Sequence, residues 1–253
     1  MDFQIIVDSM PRLIEGFWLT IELSAIALMI GFVAAVPLAI MRLSSNPFMW
    51  MPVYGFIYFF RGTPLLVQIF LIYYGSGQFR LYLDDVGLWS LFREAYFCGL
   101  LTITLNTAAY TAEIFRGGIQ GVAHGEVEAA RSCGMSGWLL YRRIILPKAL
   151  RLALPAYSNE VVFLFQSTSL VSIITLLDLT GVARIVVARS FAVYEIYITA
   201  GLMYLVVTYL FLGVFRQVEH RLSGHLRERP DARVTGTKPD IKVPDMEPGL
   251  QVR

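Results

Sequence analysis

The chain has 253 residues, of which 56% are hydrophobic and 16% charged, where an average soluble domain carries roughly 25% charged residues. Its mean hydropathy is +0.60, and the apolar residues fall in long blocks rather than in the stripes of half-buried helices, so an ordinary cytosolic enzyme is excluded and lipid is the expected solvent. A net charge of +2 makes no case for a nucleic-acid partner, and two cysteines, Cys98 and Cys133, imply no disulfide framework.

A bilayer core about 30 Å thick takes about 20 apolar residues in a helix, and five blocks of that length predict an all-α membrane protein with five transmembrane helices. The first residues carry Asp2, Asp8 and Glu15 against Arg12. The block after them is too long for a signal-peptide core and lacks a small-residue cleavage site, so it reads as a retained span at 16–41 in which Glu22 snorkels to the outer interface. The second block, 51–74, holds Arg61 beside Gly62 and Pro64, which break the helix and free backbone carbonyls. Arg61 reads as a structural pivot or as the lining of a gate. In the third block, 95–119, Asn106 lies about eleven residues, or about 16 Å, from the outer end, and Glu113 with Arg116 forms an i, i+3 ion pair near the inner end.

The connector from Arg116 to Arg151 is charged and reads as two short amphipathic helices. Glu128-Ala129-Ala130 favours helix, Gly134 permits a positive φ at a helix end, and a second helix from Ser136 is expected to stop before Pro147. Such a pair suits docking into a partner's groove; a solvated loop is the alternative. The fourth block, 155–179, contains Glu160 and Asp178, and the fifth, 194–215, has Glu195 at its edge. From about Arg227 to Arg253, prolines among mixed charges predict a disordered tail. The chain thus divides into a transmembrane domain at 1–226 and a tail at 227–253. Arg42, the third connector and the segment from Arg216 onward hold fifteen of the 21 Lys and Arg residues. Basic residues collect on the cytoplasmic side, so the N-terminus is expected outside and the tail in the cytoplasm.

An ionisable group at membrane depth costs roughly 2.5–3.5 kcal/mol on insertion scales and therefore requires a partner, a cavity or a function. Glu160, nine residues past Arg151, falls in the inner half of the membrane and is expected to meet Asn106 near the midplane. Ser167, preceded by Gln166, lies seven residues beyond Glu160 on the same helix face. Two readings stay open. In one, a substrate ammonium or guanidinium pairs with Glu160; in the other, Asn159, Tyr157 or a neighbouring helix satisfies Glu160 and the group holds the bundle together. There is no G-x-x-x-x-G-K-S/T phosphate loop, and His124, His220 and His225 have no metal-ligand spacing. No catalytic residue, metal site or cofactor of this chain's own is expected.

One spacing is specific. Glu128-Ala129-Ala130, three residues, Gly134, nine residues, Ile144, one residue and Leu146-Pro147 match the EAA signature of permease subunits of ATP-binding cassette importers. The stretches RGTPLLVQ at 61–68, LNTAAYTAEI at 105–114 and LPAYSNE at 154–160 extend the resemblance, nearly end to end, to the polar amino acid branch. Within it the chain resembles the second permease subunit of histidine, lysine, arginine and octopine importers. The resemblance implies a type I importer permease fold with five spans and cytoplasmic coupling helices, in a bacterial inner membrane. It implies that Glu128, Ala129, Ala130, Gly134, Ile144, Leu146 and Pro147 dock the connector onto ATPase subunits. The expected partners are a homologous permease in a heterodimer, two ATPase subunits that bind the ATP and Mg, a periplasmic amino acid binding protein and the bilayer itself. In related arginine-type permeases the matching span-four glutamate lies in a substrate site, usually with an aspartate seven residues later, where this chain has Ser167. Glu160, Asn106, Ser167 and Gln166 are therefore the expected substrate contacts. The function implied is ATP-driven import of polar, basic amino acids by alternating access. An ion-coupled secondary carrier using Glu160, or a membrane scaffold in which Glu160 and Asn106 are glue, are the alternatives; the EAA connector argues against the carrier.

Overall fold

The computed structural model describes residues 3–222, so the tail expected at 227–253 lies outside the described residues. The described residues are helical throughout, with no strand among them. In lipid a chain has no water to satisfy its backbone, and a helix closes every such bond within one segment. Eleven helices follow in order: α1 (Phe3–Arg42), α2 (Pro47–Gly62), α3 (Leu65–Ser76), α4 (Arg80–Asp85), α5 (Trp89–Phe92), α6 (Ala95–Gln120), α7 (His124–Ser132), α8 (Gly137–Leu140), α9 (Leu146–Ser167), α10 (Leu179–Ser190) and α11 (Val193–Leu222).

α1 begins well before the expected span and continues through Pro11 and Pro37. Its hydroxyls turn inward onto its own backbone: Thr20 Oγ1 donates to the Gly16 carbonyl at 3.0 Å and Ser24 Oγ to the Thr20 carbonyl at 2.7 Å. α6 and α11 cover the expected third and fifth spans. The second expected span is not one straight helix. It breaks at Thr63 and Pro64, and α2 and the helical run after it meet at 107°, because Pro64 has no amide hydrogen to continue the ladder. The fourth expected span is also corrected. Its helix starts at Leu146, gives way to a tighter turn over Thr168–Ile174, and reaches a left-handed Thr175 before α10 restarts. Asp178, fully buried, caps α10 by accepting from the Gly181 amide at 3.0 Å and the Thr180 amide at 3.3 Å.

By length and apolarity, two helices, Gln4–Arg42 and Val193–Leu222, qualify to cross a bilayer, and the two bent pairs raise the number to as many as four. α6 is long enough but carries Thr102, Thr104, Asn106, Thr107 and Thr111 through its middle, and all five are buried.

α6 is the centre of the bundle, packed along α1 on one side and α9 on another, with α11 against α9. One core cluster joins α1, α2, α6 and α9 through Ala35, Ala39, Ile57, Ala109, Ala112 and Ala153. Another gathers Leu23, Ala27, Ile69, Ile103, Leu164 and Val171. Small residues dominate the first of these seams, where helices in lipid gain by close backbone approach rather than by excluding water, while larger aliphatic side chains fill the second. At Gly31 the approach leaves no room for a side chain: a Cβ there would overlap the γ-methyl of Thr107. Large apolar side chains such as Met29, Val33, Leu202, Leu205 and Tyr209 point outward instead.

Candidate functional site

Two regions carry the polar chemistry, one inside the bundle and one projecting from it. The inner region starts from Pro64. In a continuous helix the amide of residue 64 would bond the carbonyl of Phe60; proline has no such hydrogen, so that carbonyl is orphaned at depth. Side chains replace the donor. Gln68 Nε2 donates to the Phe60 carbonyl at 2.9 Å, to the Thr63 carbonyl at 3.0 Å and to Thr63 Oγ1 at 2.8 Å. Asn106 Nδ2 reaches from α6 to the same Phe60 carbonyl at 3.3 Å and to Gln68 Oε1 at 2.9 Å. A break in one helix is thus tied to the middle of another.

Glu160 lies on the other side of α6. It is 7% exposed, and Thr107 Oγ1 donates to its Oε1 at 3.2 Å. The expected meeting of Asn106 with Glu160 does not occur, because adjacent residues on a helix point about 100° apart: Thr107 faces Glu160 while Asn106 faces the break. Aromatic clusters bracket the carboxylate along α9. Tyr157 stacks edge-on to Phe32 at 5.3 Å and Phe215 at 6.0 Å, and Phe165 to Tyr204 at 5.3 Å and Phe211 at 5.5 Å. Ser167 is half-buried and Gln166 exposed. Gln166 lines a separate cavity of about 440 Å³ between α9, α10 and α11, together with Thr180, Tyr204 and Thr208. Glu22 bonds Tyr96 Oη at 2.7 Å, and Glu113 accepts from Arg116 Nε at 2.7 Å, the i, i+3 pair read from the sequence.

The projecting region is the connector. α7 carries Glu128, Ala129 and Ala130, and Gly134 follows it with φ +81°, the left-handed conformation in which a side chain is strained. Glu128, Ala129 and Gly134 are exposed, while Ala130 turns inward onto a small core of Val122, Leu140, Ile145 and Ala149 that also touches Ile144. Trp138 is 66% exposed. The expected stop before Pro147 is overturned. The turn Tyr141–Ile145 widens, the Leu146 amide bonds the Tyr141 carbonyl five residues back, and the helix runs on through Leu146 and Pro147. The wider turn closes its last bond at the Leu146 amide, one residue before Pro147, whose nitrogen has no hydrogen to donate. Lys148, on the first turn of α9, pairs with Glu126 of α7.

Gln68 and Thr107 were not among the sequence-selected residues. The signal for Gln68 was present, since a proline four residues after Phe60 demands a substitute donor; nothing local pointed to Thr107.

Residues 27–224 match the family described as binding-protein-dependent transport system inner membrane component. The chain belongs to that family. This permease is 50% identical over 239 residues to the nopaline transport system permease protein NocM of Agrobacterium fabrum, covering 94% of this chain and 98% of the relative. It is 45% identical over 215 residues to the octopine transport system permease protein OccM of Rhizobium meliloti, covering 85% and 87%. With the histidine/lysine/arginine/ornithine transport system permease protein HisM of Escherichia coli K12 it shares 42% over 212 residues, covering 84% and 89%. An amino acid ABC transporter crystallised with histidines superposes with a TM-score of 0.77 at 35% identity, over 87% of this permease and 99% of that chain. These likenesses fix the type I importer permease fold. They leave the ion-coupled secondary carrier without support.

Proposed function

We propose that this permease imports basic amino acids or opines built on them, driven by ATP that partner subunits hydrolyse. The observation that carries the reading is the full EAA spacing, folded as an exposed helix pair whose Ala130 side anchors it to the bundle and whose Glu128 and Ala129 side is free to dock. The printed substrates of the relatives, nopaline, octopine, histidine, lysine, arginine and ornithine, share a basic amino acid or its derivative. An intramembrane carboxylate suits such cargo.

In this reading the chain spans the inner membrane of a bacterium five times, with α2 and α3 forming one broken span, the N-terminus periplasmic and the C-terminus cytoplasmic. Residues 1–226 are the transmembrane domain and 227–253 a disordered cytoplasmic tail. The permease pairs with a homologous permease and receives cargo from a periplasmic binding protein. Two ATPase subunits, which hold the ATP and Mg, engage the connector at Glu128, Ala129, Gly134, Ile144, Leu146 and Pro147, with Ala130 anchoring α7 to the bundle beneath them. Their closure biases a two-state membrane pair, and differential contacts in the two states supply the coupling. Glu160 pairs with the cationic group of the cargo, with Gln166 and Ser167 farther along α9, while Asn106, expected beside it, is held at the α2–α3 break.

The test is uptake of labelled arginine, histidine, lysine, octopine and nopaline by proteoliposomes holding the whole complex, measured beside ATP hydrolysis. Replacing Ala129 and Gly134 by bulky residues is expected to abolish uptake and binding-protein-stimulated hydrolysis together. Uptake that persists without hydrolysis would overturn the reading.

A further inference from the structure

Near the connector α6 and α9 cross at backbone contact: a Cβ on Gly118 would overlap the Ala149 carbonyl and press on the Ala153 methyl. Beside this crossing, the end of α6, α7 and the first turns of α9 leave a cavity of about 370 Å³ whose lining includes Gly121, Glu126, Lys148, Arg151 and Leu152. Lys148 pairs with Glu126, the link between α9 and α7. Arg151, one turn beyond Lys148, is half-buried and forms no ion pair among the described residues. The lining thus holds two cations against one carboxylate, while Leu152 beside them is exposed and apolar.

A guanidinium remains charged at any ordinary pH, so Arg151 cannot relieve partial burial by losing a proton, and its N–H fork matches the oxygens of a phosphate. Depth decides where that phosphate comes from. No charged residue lies between Arg151 and Glu160, and nine residues of helix are about 14 Å, close to half of a bilayer core about 30 Å thick. With Glu160 at the midplane, Arg151 stands at the level of the lipid phosphates. An inorganic phosphate would use only the charged end of the cavity, whereas an amphiphile uses the charged end for its headgroup and the Leu152 end for its chains. Basic pockets between helices on the cytoplasmic side are where anionic headgroups settle.

We propose that this cavity at the root of the connector binds the headgroup of an anionic phospholipid, held by Arg151 and by Lys148. The inference goes beyond import and takes from that reading only the side of the membrane on which the connector lies. Because Lys148 also holds Glu126, the lipid phosphate and the Glu126 carboxylate compete for one ammonium. The lipid therefore sets how firmly α7 is tied to α9.

The test is lipid retention by the whole purified complex, read by native mass spectrometry as phosphatidylglycerol is titrated against phosphatidylcholine. Wild type is expected to retain phosphatidylglycerol in preference. Arg151→Gln is expected to weaken that retention roughly fivefold, the worth of one basic residue near an anionic surface, and Arg151→Lys, which keeps the charge, to stay within about twofold of wild type. Glu126→Gln, on the exposed side of α7, removes the competitor and is expected to strengthen retention; a role in folding alone does not drive the two variants in opposite directions. Arg143→Gln takes an exposed charge from outside the cavity and is expected to change nothing. No preference in wild type, unchanged retention in Arg151→Gln, or an equal loss in Arg143→Gln overturns the site. If Arg151→Gln does not assemble, Glu126→Gln decides, and retention that stays the same or falls overturns it. Displacement of the lipid by excess inorganic phosphate assigns the cavity to a free anion and also overturns it. Retention is read without cargo or ATP, so the site can fail while import stands, and import can fail in the uptake assay while the site stands.

Discussion

The polar centre around Asn106 and the connector around Glu128 differ in where their hydrogen bonds end. Inside the bundle, Gln68 and Asn106 close on the Phe60 carbonyl and on each other, and Thr107 closes on Glu160. On α7, Glu128 and Ala129 face outward, as does Gly134 just beyond it, and the fold spends its contacts on Ala130 alone of the three EAA letters. Polar groups at membrane depth are needed for the helices to sit where they do. The outward side of Glu128 and Ala129 adds nothing to the small core that Ala130 joins. Changes in the first region should therefore register in stability and changes at Glu128 and Ala129 in coupling, while Gly134, held at φ +81°, should register in both.

The largest expected effect is on the connector. Ala129→Trp should abolish uptake in reconstituted complexes yet leave the melting temperature of the purified permease pair within about 1 °C, since surface changes are usually worth under about 0.5 kcal/mol; a large loss of stability would break the contrast. Next comes Gln68→Leu, which leaves the Phe60 carbonyl short of its main donor and should cost about 1–3 kcal/mol, read as a lower melting temperature with the EAA surface intact. Gly134→Val forces a β-branched residue to φ +81° and should cost about 1–3 kcal/mol of local strain, visible as faster amide exchange over α7 and α8. Smallest is Thr107→Val, which removes one hydrogen bond to Glu160 and should cost roughly 0.5–1.5 kcal/mol; an unchanged melting temperature would show that Glu160 draws its support from elsewhere.

How far these regions were legible in the sequence follows the same division. The third expected span at 95–119 and α6 at Ala95–Gln120 agree nearly residue for residue, because an apolar block with polar flanks fixes a helix locally. The EAA spacing likewise lies within one connector and needs no distant partner to be read. The second span hid its 107° bend inside an unbroken apolar run, although Gly62 and Pro64 signalled trouble with the backbone. What the run did not contain was the repair: Asn106 lies 38 residues from Gln68, and helix rotation, not composition, decides that Asn106 turns to the break while Thr107 turns to Glu160. The short helices α4 and α5 and the restart at α10 escaped for a related reason, since counting lipid-length blocks is blind to helices shorter than a block and to breaks within one. The continuation past Pro147 was missed because a proline is read as a stop, whereas at the first turn of a helix its missing amide hydrogen costs nothing.

That continuation has a mechanical consequence. From Gly137 to Ile174 the helical run is unbroken, so the second half of the connector, from α8 onward, and the buried Glu160 sit on one run, to which α7 is joined through Gly134. Glu160 stands fourteen residues beyond Leu146, about 21 Å along the axis at 1.5 Å per residue. A tilt of about 5° imposed at the cytoplasmic end sweeps that position sideways by about 2 Å, enough to take a 3.2 Å contact with Thr107 out of hydrogen-bonding range. If partner subunits push on α8 as proposed, this run is the lever that would carry the push to the Glu160–Thr107 contact.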